Sequence, residues 1–237
     1  MGREQYALAA VMIGAFLLRV WHLSSGVPFA VGIDEPFVMS TAMRILHSGD
    51  FNPHFFDYPG LYIYTQVGVS IVVYMIGAMN RSWSALAHFG AADVYLWSRL
   101  VTVAFGTGTV WLVYRVGRSW GSREALLAAA VMAVAPMHVR ESHYVLTDVP
   151  MTFFVTLTLL LSKRAVDAPG PAAFLWAGVA AGLAAGTKYN GAYALLMPIV
   201  AWAFMPARRP LLRRSIVPAI AGAAGAFLVV APYTLLD

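Results

Sequence analysis

Residues 172–190 read AAFLWAGVAAGLAAGTKYN. From Ala172 to Thr187 no ionisable side chain occurs, small residues recur along the run, and it stops abruptly at Lys188. A segment of this kind suits a helix in lipid, where glycine and alanine let neighbouring backbones approach closely. Similar apolar runs fall at about 6–24, 61–79, 95–114, 125–137, 149–162, 190–205 and 215–236, with a second small-residue stretch from Ala219 to Ala226. Hydrophobic residues make up 60% of the 237 and charged residues 11%, against roughly a quarter charged in an ordinary soluble domain. With a mean hydropathy of +0.70 the chain cannot hide this much apolar surface in a core, so the bilayer is part of its solvent. The expected fold class is all-α and polytopic.

The charges sit between these runs. Cations cluster at Arg115, Arg118 and Arg123, at Lys163 and Arg164, and at Arg208, Arg209, Arg213 and Arg214. The intervening polar segments hold acids: Asp34, Glu35, Asp50 and Asp57 in one, Glu141 and Asp148 in another. The net charge of +5 therefore reads as positive-inside loops rather than a nucleic-acid surface, and no nucleic-acid partner is expected. The clusters are assigned to the cytoplasm with the N-terminus, and the acid-bearing segments to the outer face. Parity then requires one run not to cross, and 61–79, which follows Tyr58-Pro59-Gly60 and is rich in tyrosine, is read as interfacial or re-entrant. About seven crossings remain, with an outer segment at about 24–94. The runs at 125–137 and 149–162 are short for a bilayer. The run from Tyr6 to Leu23 has no small-residue cleavage site and carries Arg19, so it reads as a retained span.

Asp34-Glu35-Pro36 is the strongest local signal for chemistry. Two carboxylates beside apolar sequence suit a general base or an acceptor-orienting pair, although Asp34 also suits the N-cap of a helix over Pro36–His47. Asp148, ahead of Val149-Pro150, offers the same two readings at the entry to a span. Arg140, His143, Lys188 and Tyr189 lie at the same boundary, where cations can hold a lipid-linked phosphate or snorkel to headgroups. His54 and Tyr58 close the first outer segment. His54 with Glu35, His138 or His143 lacks a diagnostic ligand spacing, so no metal or other cofactor is assigned. There is no cysteine, no nucleotide-phosphate loop and no G-x-S-x-G elbow, which argues against a soluble nucleotide-sugar donor.

At these residues the sequence resembles the GT-C glycosyltransferases of the protein O-mannosyltransferase and aminoarabinose-transferase type (glycosyltransferase family 39 and relatives). The resemblance is carried by Gly32-Ile33-Asp34-Glu35-Pro36-Phe37, by Phe55-Phe56-Asp57-Tyr58-Pro59-Gly60-Leu61-Tyr62, by Ser142-His143-Tyr144 with Thr147-Asp148-Val149-Pro150, and by Gly182-Leu183-Ala184-Ala185-Gly186-Thr187-Lys188-Tyr189. It implies a module of seven transmembrane helices with juxtamembrane helices in the first outer loop. It further implies transfer of a sugar from a polyprenyl-phosphate donor to a protein, lipid or glycan acceptor on the outer face of a plasma or inner membrane, by inverting displacement. In it Asp34 is the catalytic or acceptor-site acid, with Glu35 and Asp148 beside it, and basic residues hold the carrier phosphate. The aminoarabinose-transferase type has a Lys-Pro pair where this chain has Asp57-Tyr58-Pro59, so Lys188 or Arg140 is expected to take the phosphate. Members of the group run longer, so 1–237 reads as a single module, either compact in itself or the N-terminal part of a longer protein. Two other classes fit less well: a transporter or flippase, disfavoured because Arg19 alone reads as a mid-span charge, and a polyprenyl-phosphate-binding subunit without transfer.

Overall fold

The computed structural model describes residues 2–29, 32, 34–204 and 216–237. Arg208, Arg209, Arg213 and Arg214 lie outside these residues. Regular structure among the described residues is helical, as expected: α1 (Arg3–Val20), α2 (Glu35–Ser48), α3 (Gly60–Met79), α4 (Ala91–Gly117), α5 (Ser122–Val134), α6 (Pro136–Glu141), α7 (Asp148–Asp167), α8 (Pro171–Thr187), α9 (Leu196–Ala203) and α10 (Ile216–Val230). A short 3-10 turn at Leu86–His88 precedes α4, another at Tyr189–Leu195 leads into α9, and one turn at Tyr233–Leu236 follows α10.

Local chemistry sets the boundaries. Gly49 ends α2 at φ +70°, a left-handed conformation that glycine adopts at little cost. The Asp93 carboxylate accepts the Gly90 N–H at 2.8 Å and so satisfies an orphan donor at the start of α4. Pro136, with no N–H, separates α5 from α6. The short run at 149–162 lengthens into a 20-residue helix because Lys163, Arg164 and Asp167 continue α7 beyond its apolar part.

Helices α4 and α7 run side by side in the same direction. Phe105 meets Phe153 and Phe154 at ring-centroid distances of 5.3 and 5.7 Å, and further along Tyr114 and Arg118 share a cavity with Leu160 and Asp167. Helix α8 returns along α7 and brings Lys188 back to Asp148. Charge is thereby segregated: Asp148 and Lys188 stand at one end of the bundle, and Arg115, Arg118, Lys163 and Arg164 stand at the other.

Helix α3 takes a different course. Tyr62, in its first turn, meets Thr102 of α4 at 2.5 Å between hydroxyl oxygens, while Tyr74 packs on Phe89, just before α4 begins, at 5.6 Å. It therefore runs from the middle of α4 towards the α4 N-terminus, away from Arg115. By length and composition α3, α4 and α7 are each able to cross a membrane, α3 having the highest mean hydropathy of the three at 1.6. Hydropathy alone thus does not separate α3 from the crossing helices.

A buried charge holds the proline break. Arg19 is fully buried and donates to the carbonyls of Ala15 (2.9 Å), Ala133 (3.0 Å) and Met132 (3.3 Å), the last two near the end of α5, where Pro136 supplies no N–H. Its second terminal nitrogen donates to Nδ1 of His138 at 3.0 Å. Arg19 is thus a structural charge held through its two terminal nitrogens, while its Nε finds no partner among the described residues.

The stretch at 172–187 packs as its composition suggests. A Cβ added to Gly178 would lie 1.9 Å from the Ala219 carbonyl oxygen, and one added to Gly182 would lie 2.2 Å from that of Ala223. Helices α8 and α10 are therefore in backbone contact, with glycine four residues apart on one side and alanine on the other. Gly182→Val should force the pair apart and cost about 1–3 kcal/mol or more. Thermal unfolding in detergent would read this, with Gly68→Ala, whose added methyl meets nothing within 4 Å, as the near-neutral control.

Candidate active site

Asp34 stands at the N-cap of α2, as one sequence reading had it, but its carboxylate makes no capping hydrogen bond. It faces Tyr58 in the segment before α3. Burial, then the hydrogen bond to Asp34 and its charge, with Asp148 and Asp57 adding, push the Tyr58 phenol up to about 12. Tyr58 therefore keeps its proton and donates it to Asp34. At the first residue of α7, Asp148 accepts from Lys188 Nζ with both oxygens, at 2.8 and 2.9 Å. The same ammonium lies 5.8 Å from the centroid of the Tyr58 ring, within cation–π range. Asp34, Tyr58, Asp148 and Lys188 thus converge from four separate segments. The Tyr189 hydroxyl donates to the Phe56 carbonyl at 3.0 Å, tying the turn after Lys188 to the segment that carries Tyr58.

Local geometry explains the position of Lys188. Helix α8 ends at Thr187, Lys188 is extended, and Gly191 sits so close to the end of α8 that an added Cβ would be 2.2 Å from the Ala184 carbonyl oxygen. The chain turns tightly there and leaves the ammonium pointing to Asp148. The pair is partly exposed, with 25% of the Lys188 and 44% of the Asp148 side chain accessible.

Glu35 is placed elsewhere. Successive residues of a helix point about 100° apart, and the Asp34-Glu35 doublet splits accordingly. Glu35 is fully buried, with Arg99 donating to its two oxygens at 2.8 Å each and the Val145 N–H donating at 3.1 Å. Arg99 also donates to the carbonyls of Leu23 (2.9 Å) and Ser25 (2.8 Å), and its guanidinium stands 5.8 Å from the Tyr95 ring and 5.7 Å from that of Tyr144. Sequence reasoning missed Arg99, and the view that Arg19 was the sole mid-span charge is corrected by it. The signal was present: an arginine inside the 95–114 apolar run requires a buried partner.

Three further candidates lie in other contacts. Arg140 pairs with its neighbour Glu141 at 2.5 and 2.8 Å. His143 donates to the Leu18 carbonyl at 3.2 Å, and His54 contacts Asp50 at 3.0 Å and Asp237 at 3.5 Å. No hydrogen bond joins these three to the cluster among the described residues. Nor, among those residues, does any group of three His, Asp or Glu side chains converge as a metal ion would require.

A family described as dolichyl-phosphate-mannose-protein mannosyltransferase matches residues 74–235, about two thirds of the chain. The chain belongs to this family. The match includes Arg99, Asp148 and Lys188, while Asp34, Glu35 and Tyr58 precede it. Dolichyl-phosphate-mannose--protein mannosyltransferase 1 of Candida albicans is 27% identical over 214 residues, covering 84% of the chain and 22% of that protein. The S. cerevisiae protein O-mannosyltransferase Pmt1-Pmt2 complex, solved bound to the sugar donor, superposes with a TM-score of 0.74 at 20% identity, over all of this chain and 34% of the solved one. The fold is thus that of a GT-C membrane glycosyltransferase, and the chain spans about a fifth to a third of the length of these relatives.

The Glu35–Arg99 pair gives a direct test of how the site is held. Glu35→Gln or Arg99→Met alone should each cost about 3–5 kcal/mol, because a buried charge or its partner is left uncompensated. The double variant should cost clearly less than the sum. Thermal unfolding of the four proteins measures the coupling, and simple additivity would mean that the pair does not hold the site together.

Proposed function

We propose that this chain forms the membrane-embedded reaction centre of a glycosyltransferase that passes a sugar from a polyprenyl-phosphate carrier to an acceptor hydroxyl. The observation that carries the reading is the convergence of Asp34, Tyr58, Asp148 and Lys188 at one end of a lipid-exposed helical bundle. The matched relatives name a dolichyl-phosphate-mannose donor and a protein acceptor, which makes them the first pair to test here.

In this reading the acceptor oxygen attacks the anomeric carbon as the bond from that carbon to the phosphate oxygen breaks. The electron pair leaves with the polyprenyl phosphate, whose charge the Lys188 ammonium stabilises. The acceptor proton passes to Asp34, held by Tyr58 on its other side. Asp148 orients Lys188 and offers its second oxygen to a sugar or acceptor hydroxyl. A single displacement inverts the anomeric centre. Tyr189 lines the rim, and Glu35 serves by fixing the chain next to Asp34.

Asp34→Asn should lower transfer from polyprenyl-phosphate-mannose by roughly 10²–10⁴-fold with thermal stability unchanged. Near-normal turnover would remove Asp34 from the reaction. Retained binding of the carrier phosphate without any turnover in the unaltered chain would favour a binding subunit.

The same reading makes 24–94 an outer-face segment of one module, with α2 and α3 juxtamembrane and seven crossings formed by α1, α4, α5 with α6, α7, α8, the 189–203 segment and α10. The course of α3 away from the Arg115 end supports it. Because the chain has no cysteine, single replacements report sidedness directly. Asp57→Cys and Tyr189→Cys should react with a membrane-impermeant thiol reagent in intact cells, and Arg118→Cys and Arg164→Cys should not. Labelling of both ends, or of neither, contradicts the arrangement.

A further inference from the structure

The opposite end of the bundle holds a second polar cavity that the proposed reaction does not use. It measures about 560 Å³ and lies between the start of α1 and the ends of α4 and α7, with Arg115, Arg118, Lys163 and Arg164 in its wall beside Glu4 and Asp167. Two of the four cations are neutralised locally. Arg118 and the Tyr114 hydroxyl both donate to Glu4, and Lys163 donates to Asp167 at 2.5 Å. The other two are not: the Arg115 guanidinium lies 5.1 Å over the Trp111 ring, and Arg164 is exposed with no ion pair among the described residues. Among the described residues the cavity therefore carries two guanidinium groups without a carboxylate partner, the side chain best suited to a phosphate.

An apolar groove of about 370 Å³ adjoins it. Leu159 and Val166 of α7 face Leu196 and Val200 of α9 there, and Lys163 lines both spaces. A soluble phosphate compound would use only the polar half. A molecule with a phosphate head and a hydrocarbon tail would use both. We propose that this end of the bundle binds one anionic phospholipid, its phosphate between Arg115 and Arg164 and one acyl chain along the α7–α9 groove. Basic pockets between helices at a membrane surface attract anionic lipid in this way, whereas the site at Asp148 is about 24 Å from Arg164 along α7. The lipid would fix the relative positions of α1, α4, α7 and α9 from the end remote from the chemistry.

The chain purified in detergent and doped with phosphatidylglycerol or phosphatidylcholine tests this by native mass spectrometry of retained lipid. One phosphatidylglycerol per chain should survive washing, with phosphatidylcholine removed. Arg164→Gln should weaken retention roughly fivefold, and Arg115→Gln with Arg164→Gln about twentyfold. Arg123→Gln, a cation at the same end but outside the cavity, should leave it unchanged. Equal retention of the two lipids overturns the proposal, as does an Arg123→Gln effect as large as that of Arg164→Gln. Displacement by glycerol phosphate at concentrations equal to those of the lipid would overturn it too, since the tail would then contribute nothing. Because Arg164 makes no ion pair among the described residues, its single variant keeps the test valid even if the double variant fails to fold.

Discussion

The Arg99 guanidinium donates to both oxygens of Glu35 and to the carbonyls of Leu23 and Ser25, and through Glu35 it reaches the Val145 amide. Four of its five N–H groups are accounted for by Leu23, Ser25 and Glu35, and the Val145 N–H donates to Glu35, so three stretches of chain meet at the pair. Those stretches are the linker after α1, the start of α2 and the approach to α7. Asp34 immediately precedes Glu35, and Asp148 lies three residues beyond Val145. The clamp therefore fixes the backbone beside both carboxylates while touching neither. A pair with side-chain exposures of 1% and 0% is removed from water, so it persists only because its charges face each other and most of its donors and acceptors have partners. That requirement makes the clamp directional in a way that apolar packing is not.

A related constraint governs the other buried guanidinium. Arg19 is tolerated because the Pro136 break leaves carbonyl oxygens near it that need donors, and Nδ1 of His138 lies within hydrogen-bond distance of its other terminal nitrogen. Where no polar group is available, as between α8 and α10, the backbones themselves close up through Gly178 and Gly182. Lipid offers neither hydrogen bonds nor a hydrophobic drive between helices, so satisfied polar groups and close backbone contact hold the bundle together.

Much of this was legible from residue order. The small-residue stretch gave the close packing of α8, the alternation of acidic and basic segments gave the two ends, and the pairing of Asp148 with Lys188 follows from placing both at the same boundary. Tyr58 was named, though its partnership with Asp34 depends on the fold of the segment between them. The chain's separate use of Asp34 and Glu35 was not legible, because adjacent residues look equivalent in a sequence and diverge only once a helix starts between them. The contacts of Arg140 and His143 were not legible for a related reason: a cation near a boundary announces its charge but not the nearest acceptor. For Arg140 that acceptor is the next residue.

Two ion pairs in this chain differ by burial, and the difference bears on what each is for. Glu35–Arg99 is sealed, so separating its members costs several kcal/mol and does not occur within a working cycle. Asp148–Lys188 has side chains 44% and 25% accessible, and a pair screened to that degree contributes about 1 kcal/mol or less. In the proposed reaction Lys188 would leave one carboxylate oxygen for an incoming phosphate at small cost, with the Tyr58 ring 5.8 Å from the ammonium. A lysine held this way is poised rather than committed. In the proposed reaction its partial exposure beside Asp34 and Tyr58 leaves it open to an anionic donor.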